Sequence, residues 1–121
     1  MINEDLKQIT KINKIFLEKI IKIINDHLSD NRLSVELLAS EIAMSRVTLH
    51  KKLNSLIGES PSDLIKRIRL NRAAKYLQNN HGNISEIAIE VGFNNPAYFA
   101  ECFKQQFGIS PSQYQHKFIN H

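Results

Sequence analysis

Between Ser45 and Lys75 the chain carries eight lysines and arginines against two acidic residues, Glu59 and Asp63, a local balance of +6. The whole chain sums to +4, so the other ninety residues sum to −2. Concentrated cationic charge in an otherwise balanced chain is chemistry for holding a polyanion. Charge alone equally fits a solvated helical face. Spacing adds more. In "SRVTLHKKLNSL", Leu49 and Leu53 are four apart, and the opposite stripe contains Val47, His50, Lys51 and Asn54 at i, i+3, i+4 and i+7. A helix of this kind buries one face and presents the other. That face offers a cation, an imidazole, an amide and an apolar contact to whatever partner the helix meets.

Other chemistries find less support. The chain has no glycine-rich phosphate loop, no paired carboxylates in a pocket-like context and no nucleophile motif around its one cysteine, Cys102. Histidines 27, 50, 81, 116 and 121 lack metal-ligand spacing with cysteine or one another. Neither an enzyme nor a cofactor or metal is therefore expected. A single cysteine excludes an internal disulfide framework and fits a reducing interior. No apolar run approaches the roughly 18 residues of a membrane span, and "MINEDLKQIT" is too polar for a signal peptide. These features together lead to the expectation of a cytoplasmic protein without membrane contact.

The elements that position the stripe read as helices. Ile12, Phe16, Ile20, Ile23, Ile24 and Leu28 follow helical spacing and predict one amphipathic helix, interrupted by "SDNR". Residues 1–11 read as a linker or a frayed start. That helix is richer in isoleucine than one small core needs, which leaves room for an apolar strip that docks a partner or dimerises. Ser34 caps a helix to about Ile42, and Ser45 caps the next, which Gly58 stops. Ser60, Pro61 and Asp63 open a long helix to about Asn79. Asn83 with Glu86 forms a capping box, and Asn95 followed by Pro96 opens a further helix. Nothing alternates as a strand does. The fold class is all-α, of about seven helices.

Two stretches repeat. "LASEIAMS" (38–45) aligns with "IAIEVGFN" (87–94), and "LHKKLNSLIGESPSDL" (49–64) aligns with "FAECFKQQFGISPSQY" (99–114). Leu49, Leu53, Ile57 and Gly58 meet Phe99, Phe103, Phe107 and Gly108, and Ser-Pro-Ser meets Ser-Pro-Ser. Each copy reads as short helix, tight turn, longer helix, with a small residue (Ala39, Ala88) where the helices cross and Ala43 or Gly92 at the turn. The aromatics of the second copy, Phe93, Phe99, Phe103 and Phe107, are expected in its core. Cys102 reads as a small, partly buried residue.

"ISEIAIEVGFNNPAYFAECFKQQFGISPSQYQ", with "LLASEIAMSRVTLHKKLNSLIGESPSDLIKRIRLNRAAKYL" before it, resembles the DNA-binding end of the AraC/XylS family of bacterial transcription regulators, over residues 16 to 118 or so. The resemblance implies two helix-turn-helix subdomains joined by a long linker helix. It places recognition helices at 45–57 and 95–107, entering successive major grooves roughly 34 Å apart. It also implies base contacts at Val47, His50 and Lys51 and, in the second copy, at Pro96, Ala97, Tyr98 and Glu101; Asn54 joins them by its place on the stripe. Glu101 can accept from cytosine N4 and Ala97 can touch a thymine methyl, although Glu101 reads equally well as a surface charge. Ser45, Arg46, Lys52, Asn95, Lys104 and Arg72 are expected on phosphates. The subdomains are expected at 12–80 and 81–121. The partner implied is double-stranded promoter DNA rather than double-stranded RNA, whose deep major groove excludes these helices. RNA polymerase and a sensory or dimerising region of a longer parent, joined near "MINEDLKQ", complete the expected partners. Activation is the commoner role in the family.

Overall fold

A computed structural model describes residues 2–30 and 32–119, except for the Ile2 side chain. The expectations that touch Met1, Asn31 within "SDNR", and His121 therefore lie partly outside the described residues. Seven helices follow in order: α1 (Ile2–Asp26), α2 (Val35–Glu41), α3 (Arg46–Ile57), α4 (Pro61–Gln78), α5 (Ile84–Glu90), α6 (Pro96–Phe107) and α7 (Pro111–Ile119). No strand occurs among the described residues. The chain forms two compact units. The first holds residues 1–27 and 33–62, the second residues 28–32 and 63–121.

The helices begin and end where local chemistry satisfies their orphan backbone groups. Ser34 accepts from the Leu37 amide, and Ser45 from the Thr48 amide. Asn83 and Glu86 form a reciprocal capping box, and Asn95 accepts from both the Ala97 and Tyr98 amides. Gly58 (φ 70°) and Gly108 (φ 83°) close α3 and α6 in the left-handed region, where a Cβ is costly. Pro61, Pro96 and Pro111 each start a helix, where a missing N–H costs nothing.

In the first unit, α2 packs on α1 and α3. The core is aliphatic apart from Phe16: Ile20, Ile24, Leu33, Leu38, Ala39, Leu49 and Leu53 are buried with it. Ile57 is only half-buried, because α3 ends there. Residues 2–11, expected as a linker or frayed start, are helical. Leu6, Ile9 and Ile12 continue the spacing of Phe16 and Ile20, so the helical pattern outruns its polar neighbours.

The second unit is built on α4 and the aromatic run. Leu70, Ala73, Ala74 and Leu77 of α4 bury with Ile87, Ala88, Val91, Phe93, Phe99, Cys102 and Phe103. Ring contacts run from Phe93 to Phe99 (5.2 Å between centroids), on to Phe103 (5.8 Å), and from Phe103 to Tyr114 (5.3 Å). Phe107 packs against this cluster half-buried. A compact-unit boundary at Asp63 differs from the one expected at residue 80, because the apolar face of α4 packs with α5 and α6.

The two tight turns share a hydrogen-bond pattern. Ala43 N donates to Ser40 O and Met44 N to Ala39 O (2.9 Å); Gly92 N donates to Ile89 O and Phe93 N to Ala88 O (2.8 Å). Both turns need positive φ, 59° at Ala43 and 97° at Gly92. Ala43 adopts this conformation at a cost of roughly 1–2 kcal/mol. Gly92 is required for a second reason. A Cβ there would lie 2.6 Å from Leu28 O and 2.6 Å from Arg69 Nε.

Candidate nucleic-acid interface

Each recognition candidate sits on the second helix of a helix-turn-helix. On α3, Leu49 and Leu53 are completely buried. That burial fixes the rotation of the helix and turns Val47, His50, Lys51 and Asn54 outward, all exposed. Val47 is 64% exposed. With Arg46, three of these residues (Val47, His50 and Lys51) line an open cleft of about 580 Å³, closed by Val35 and by Ser60, Pro61 and Ser62 at the start of α4. Spacing along α3 could not reveal Val35 or the Ser-Pro-Ser wall. Only folding the unit brings them beside the stripe.

The residues expected on phosphates divide. Ser45 is occupied as a cap and also donates its hydroxyl to Thr48 Oγ1 at 2.9 Å. Arg46 pairs with Glu36 at 3.1 Å on the surface. This ion pair, behind a contact from its own backbone amide, holds the Glu36 carboxyl below its ordinary range, and Ser34 contributes. Lys52 is half-buried, its ammonium 4.1 Å from the centroid of the Phe16 ring. A cation over a ring face is held there by the ring quadrupole, which places Lys52 against the helical scaffold and off the exposed flank.

On α6, Phe99 and Phe103 set the rotation. Pro96, Ala97, Tyr98 and Glu101 are exposed together on the opposite side. Asn95 is committed to the cap, while Lys104 is exposed and Arg72 half-buried. Cys102, 4% exposed, acts on the nearby Tyr98 phenol and pushes it up from its ordinary value, with partial burial, Glu101 and Asp63 adding to the shift.

Arg69 takes a part the sequence reading missed. Among the charged side chains of the linker helix, it turns inward. Its Nη2 donates to Asp30 O at 3.1 Å, and its buried Nε has no partner among the described residues. Burial pushes this guanidinium down from its ordinary value, while Asp30 acts in the opposite direction. Arg69 therefore ties Asp30 to the neighbourhood of the Gly92 turn. Among the described residues no three His, Cys, Asp or Glu side chains gather as a metal site. No helix formed by them is long and apolar enough to cross a membrane.

A helix-turn-helix domain family matches residues 38–117. The chain belongs to this AraC-type helix-turn-helix family. A histidine kinase from Formosa agariphila is 38% identical over 91% of the chain, which spans 8% of that protein. The transcriptional activator RhaS of Mannheimia succiniciproducens is 36% identical over 64% of the chain, which spans 29% of it. The chain thus covers well under half of these curated relatives. Among solved structures, the C-terminal domain of AraT, a response regulator from Geobacillus stearothermophilus, superposes with TM-score 0.76 at 32% identity, covering 83% of each chain. The DNA-binding domain of AdpA, a global transcriptional factor solved in complex with a target DNA, gives TM-score 0.79 at 28% identity, covering 86% of this chain and 93% of that one.

Proposed function

We propose that this chain is a sequence-specific double-stranded DNA-binding domain that serves as the output end of a bacterial transcription regulator. The observation that carries the reading is the exposed stripe Val47, His50, Lys51 and Asn54, set opposite fully buried Leu49 and Leu53 on a capped helix. Its chemistry matches major-groove base edges: Lys51 for guanine, His50 for a purine, Val47 for a thymine methyl. Pro96, Ala97, Tyr98 and Glu101 read a second element, with Glu101 accepting from cytosine N4. Arg46, once released from Glu36, together with Lys104, Arg72 and the capped helix starts at Ser45 and Asn95, holds phosphates. The target-DNA complex of AdpA and the activator RhaS support the reading of operator binding and activation. Contact with RNA polymerase and attachment to a sensory or dimerising region follow from the same reading, and the histidine-kinase relative favours a two-component parent acting in the cytoplasm.

Selection of bound sequences from random duplex DNA, with a salt titration, tests this. Two enriched elements about one helical turn apart are expected. Lys51→Ala should erase preference at one element and Glu101→Ala at the other. Absence of binding at low salt would sink the proposal.

A further inference from the structure

The turn of the second helix-turn-helix meets two distant segments of its own unit. A Cβ on Gly92 would lie 2.6 Å from Arg69 Nε, 2.8 Å from Arg69 Cζ and 2.6 Å from Leu28 O. The guanidinium therefore occupies the space that a side chain at the turn would take, with the Leu28 carbonyl beside it. Its Nη2 donates to Asp30 O at 3.1 Å. Leu28 and Asp30 follow the end of α1 and belong to the second unit, as do Arg69 and Gly92. At the matching position of the first copy, Ala43 carries a Cβ at φ 59°, so that turn has room for a side chain.

Stability alone does not account for this arginine. Its Nε is buried without a partner among the described residues. A buried cation with incomplete partners costs free energy that an apolar side chain of similar volume would not. An apolar side chain cannot supply a directed contact, in which a rigid planar fork lies against a glycine and donates to a fixed carbonyl at once. We propose that Arg69 is a positioning residue for the second recognition helix, holding the α5–α6 turn at a set angle against the residues that follow α1. Two hydrogen bonds fix the local shape of the turn, Gly92 N to Ile89 O at 3.0 Å and Phe93 N to Ala88 O at 2.8 Å. Asn95 caps α6 three residues after Gly92. A change of angle at Gly92 is therefore carried directly to Pro96, Ala97, Tyr98 and Glu101. Their setting depends on α4 and on Asp30, whereas α3 follows a turn that needs no such neighbour. The consequence for base reading rests on the DNA-binding function proposed above; the hold on the turn does not.

Arg69→Met keeps the stem of the side chain and removes its plane and its donors. Native-state amide hydrogen exchange on the full 121-residue chain reads the turn directly. Exchange at Gly92 and Phe93 should quicken about tenfold or more. Ala43 and Met44 in the matching turn, and Ala73 in the core of the second unit, should stay within about twofold. The midpoint of chemical denaturation should be unchanged or higher. Unchanged exchange at Gly92 and Phe93 overturns the proposal. So does equal acceleration at Ala73, which marks a general structural role. Binding to duplexes carrying both selected elements provides the second arm. Preference for the element assigned by Glu101→Ala should fall about tenfold, and preference for the other should hold. Equal loss at both elements, or loss at neither, overturns the proposal. A chain that binds no duplex at low salt sinks the DNA reading, and exchange still decides whether Arg69 holds the turn. If Arg69→Met fails to fold, Arg69→Lys, which keeps stem and charge without the fork, replaces it with the same pattern expected.

Discussion

The two helix-turn-helix copies reach the same backbone by different means. The first fills its core with leucine and isoleucine, turns on an alanine at φ 59°, and presents Val47, His50 and Lys51. The second fills its core with phenylalanine, turns on a glycine at φ 97°, and presents Ala97, Tyr98 and Glu101. The parts in common are the small residue at the crossing, the positive-φ turn with its pair of hydrogen bonds, and the glycine stop. Geometry is carried by a few backbone landmarks. Core volume and surface charge vary around them, and recognition chemistry can diverge without moving a helix.

The turns should break the comparison most sharply. Gly92→Ala forces a Cβ against Leu28 O and the Arg69 guanidinium, and a loss of about 3 kcal/mol or more is expected by chemical denaturation. Ala43→Gly, at the matching position, should lie within about 1 kcal/mol of the original, since relief of strain offsets the added chain entropy. Equal losses at both sites would show that Arg69 yields and that the tight packing at Gly92 is not what requires a glycine.

Core substitutions come next. Phe103→Ala removes a ring that contacts Phe99, Phe107 and Tyr114, and about 3–5 kcal/mol of stability should go with it. Its counterpart Leu53→Ala should cost about 2–5 kcal/mol. The two together sharpen the comparison, because a second unit that melts separately would give two transitions in calorimetry.

The recognition faces should differ in the sign of their charge effects. Lys51→Ala is expected to weaken binding to a selected duplex by about 1–3 kcal/mol, mostly as lost discrimination. Glu101→Ala should raise affinity for unselected DNA while flattening preference for cytosine, measured by fluorescence anisotropy. A fall in unselected affinity would show that Glu101 does not face phosphate.

The smallest effect concerns Glu36. Its folded carboxyl is held below the ordinary range, so its contribution to stability is present above the unfolded carboxylate value and disappears as pH falls through the lower folded one. Glu36→Gln should slightly flatten the acid limb of the melting curve and free Arg46, steepening the salt dependence of DNA binding by up to roughly 0.9. An unchanged slope would mean that Glu36 does not govern whether Arg46 reaches a phosphate.

Much of this architecture is written locally in the chain. Ser34, Ser45, Asn83 and Asn95 start helices with their own side chains, Gly58 and Gly108 stop them, and the spacing of Leu49 with Leu53 and of Phe99 with Phe103 orients the recognition stripes. These signals act within a turn or two, so sequence determined the seven helices, the repeat and the exposed faces. The start of α1 escaped because polar neighbours hid how Leu6 and Ile9 extend the spacing that begins at Ile12. Tertiary structure alone decided the fate of the cations. Lys52 goes to the Phe16 ring and Arg69 to Asp30 O beside Gly92, partners 36, 39 and 23 positions away in the chain. Long side chains settle wherever folding offers a ring face or a carbonyl, and spacing along one helix carries no information about what a distant segment will bring.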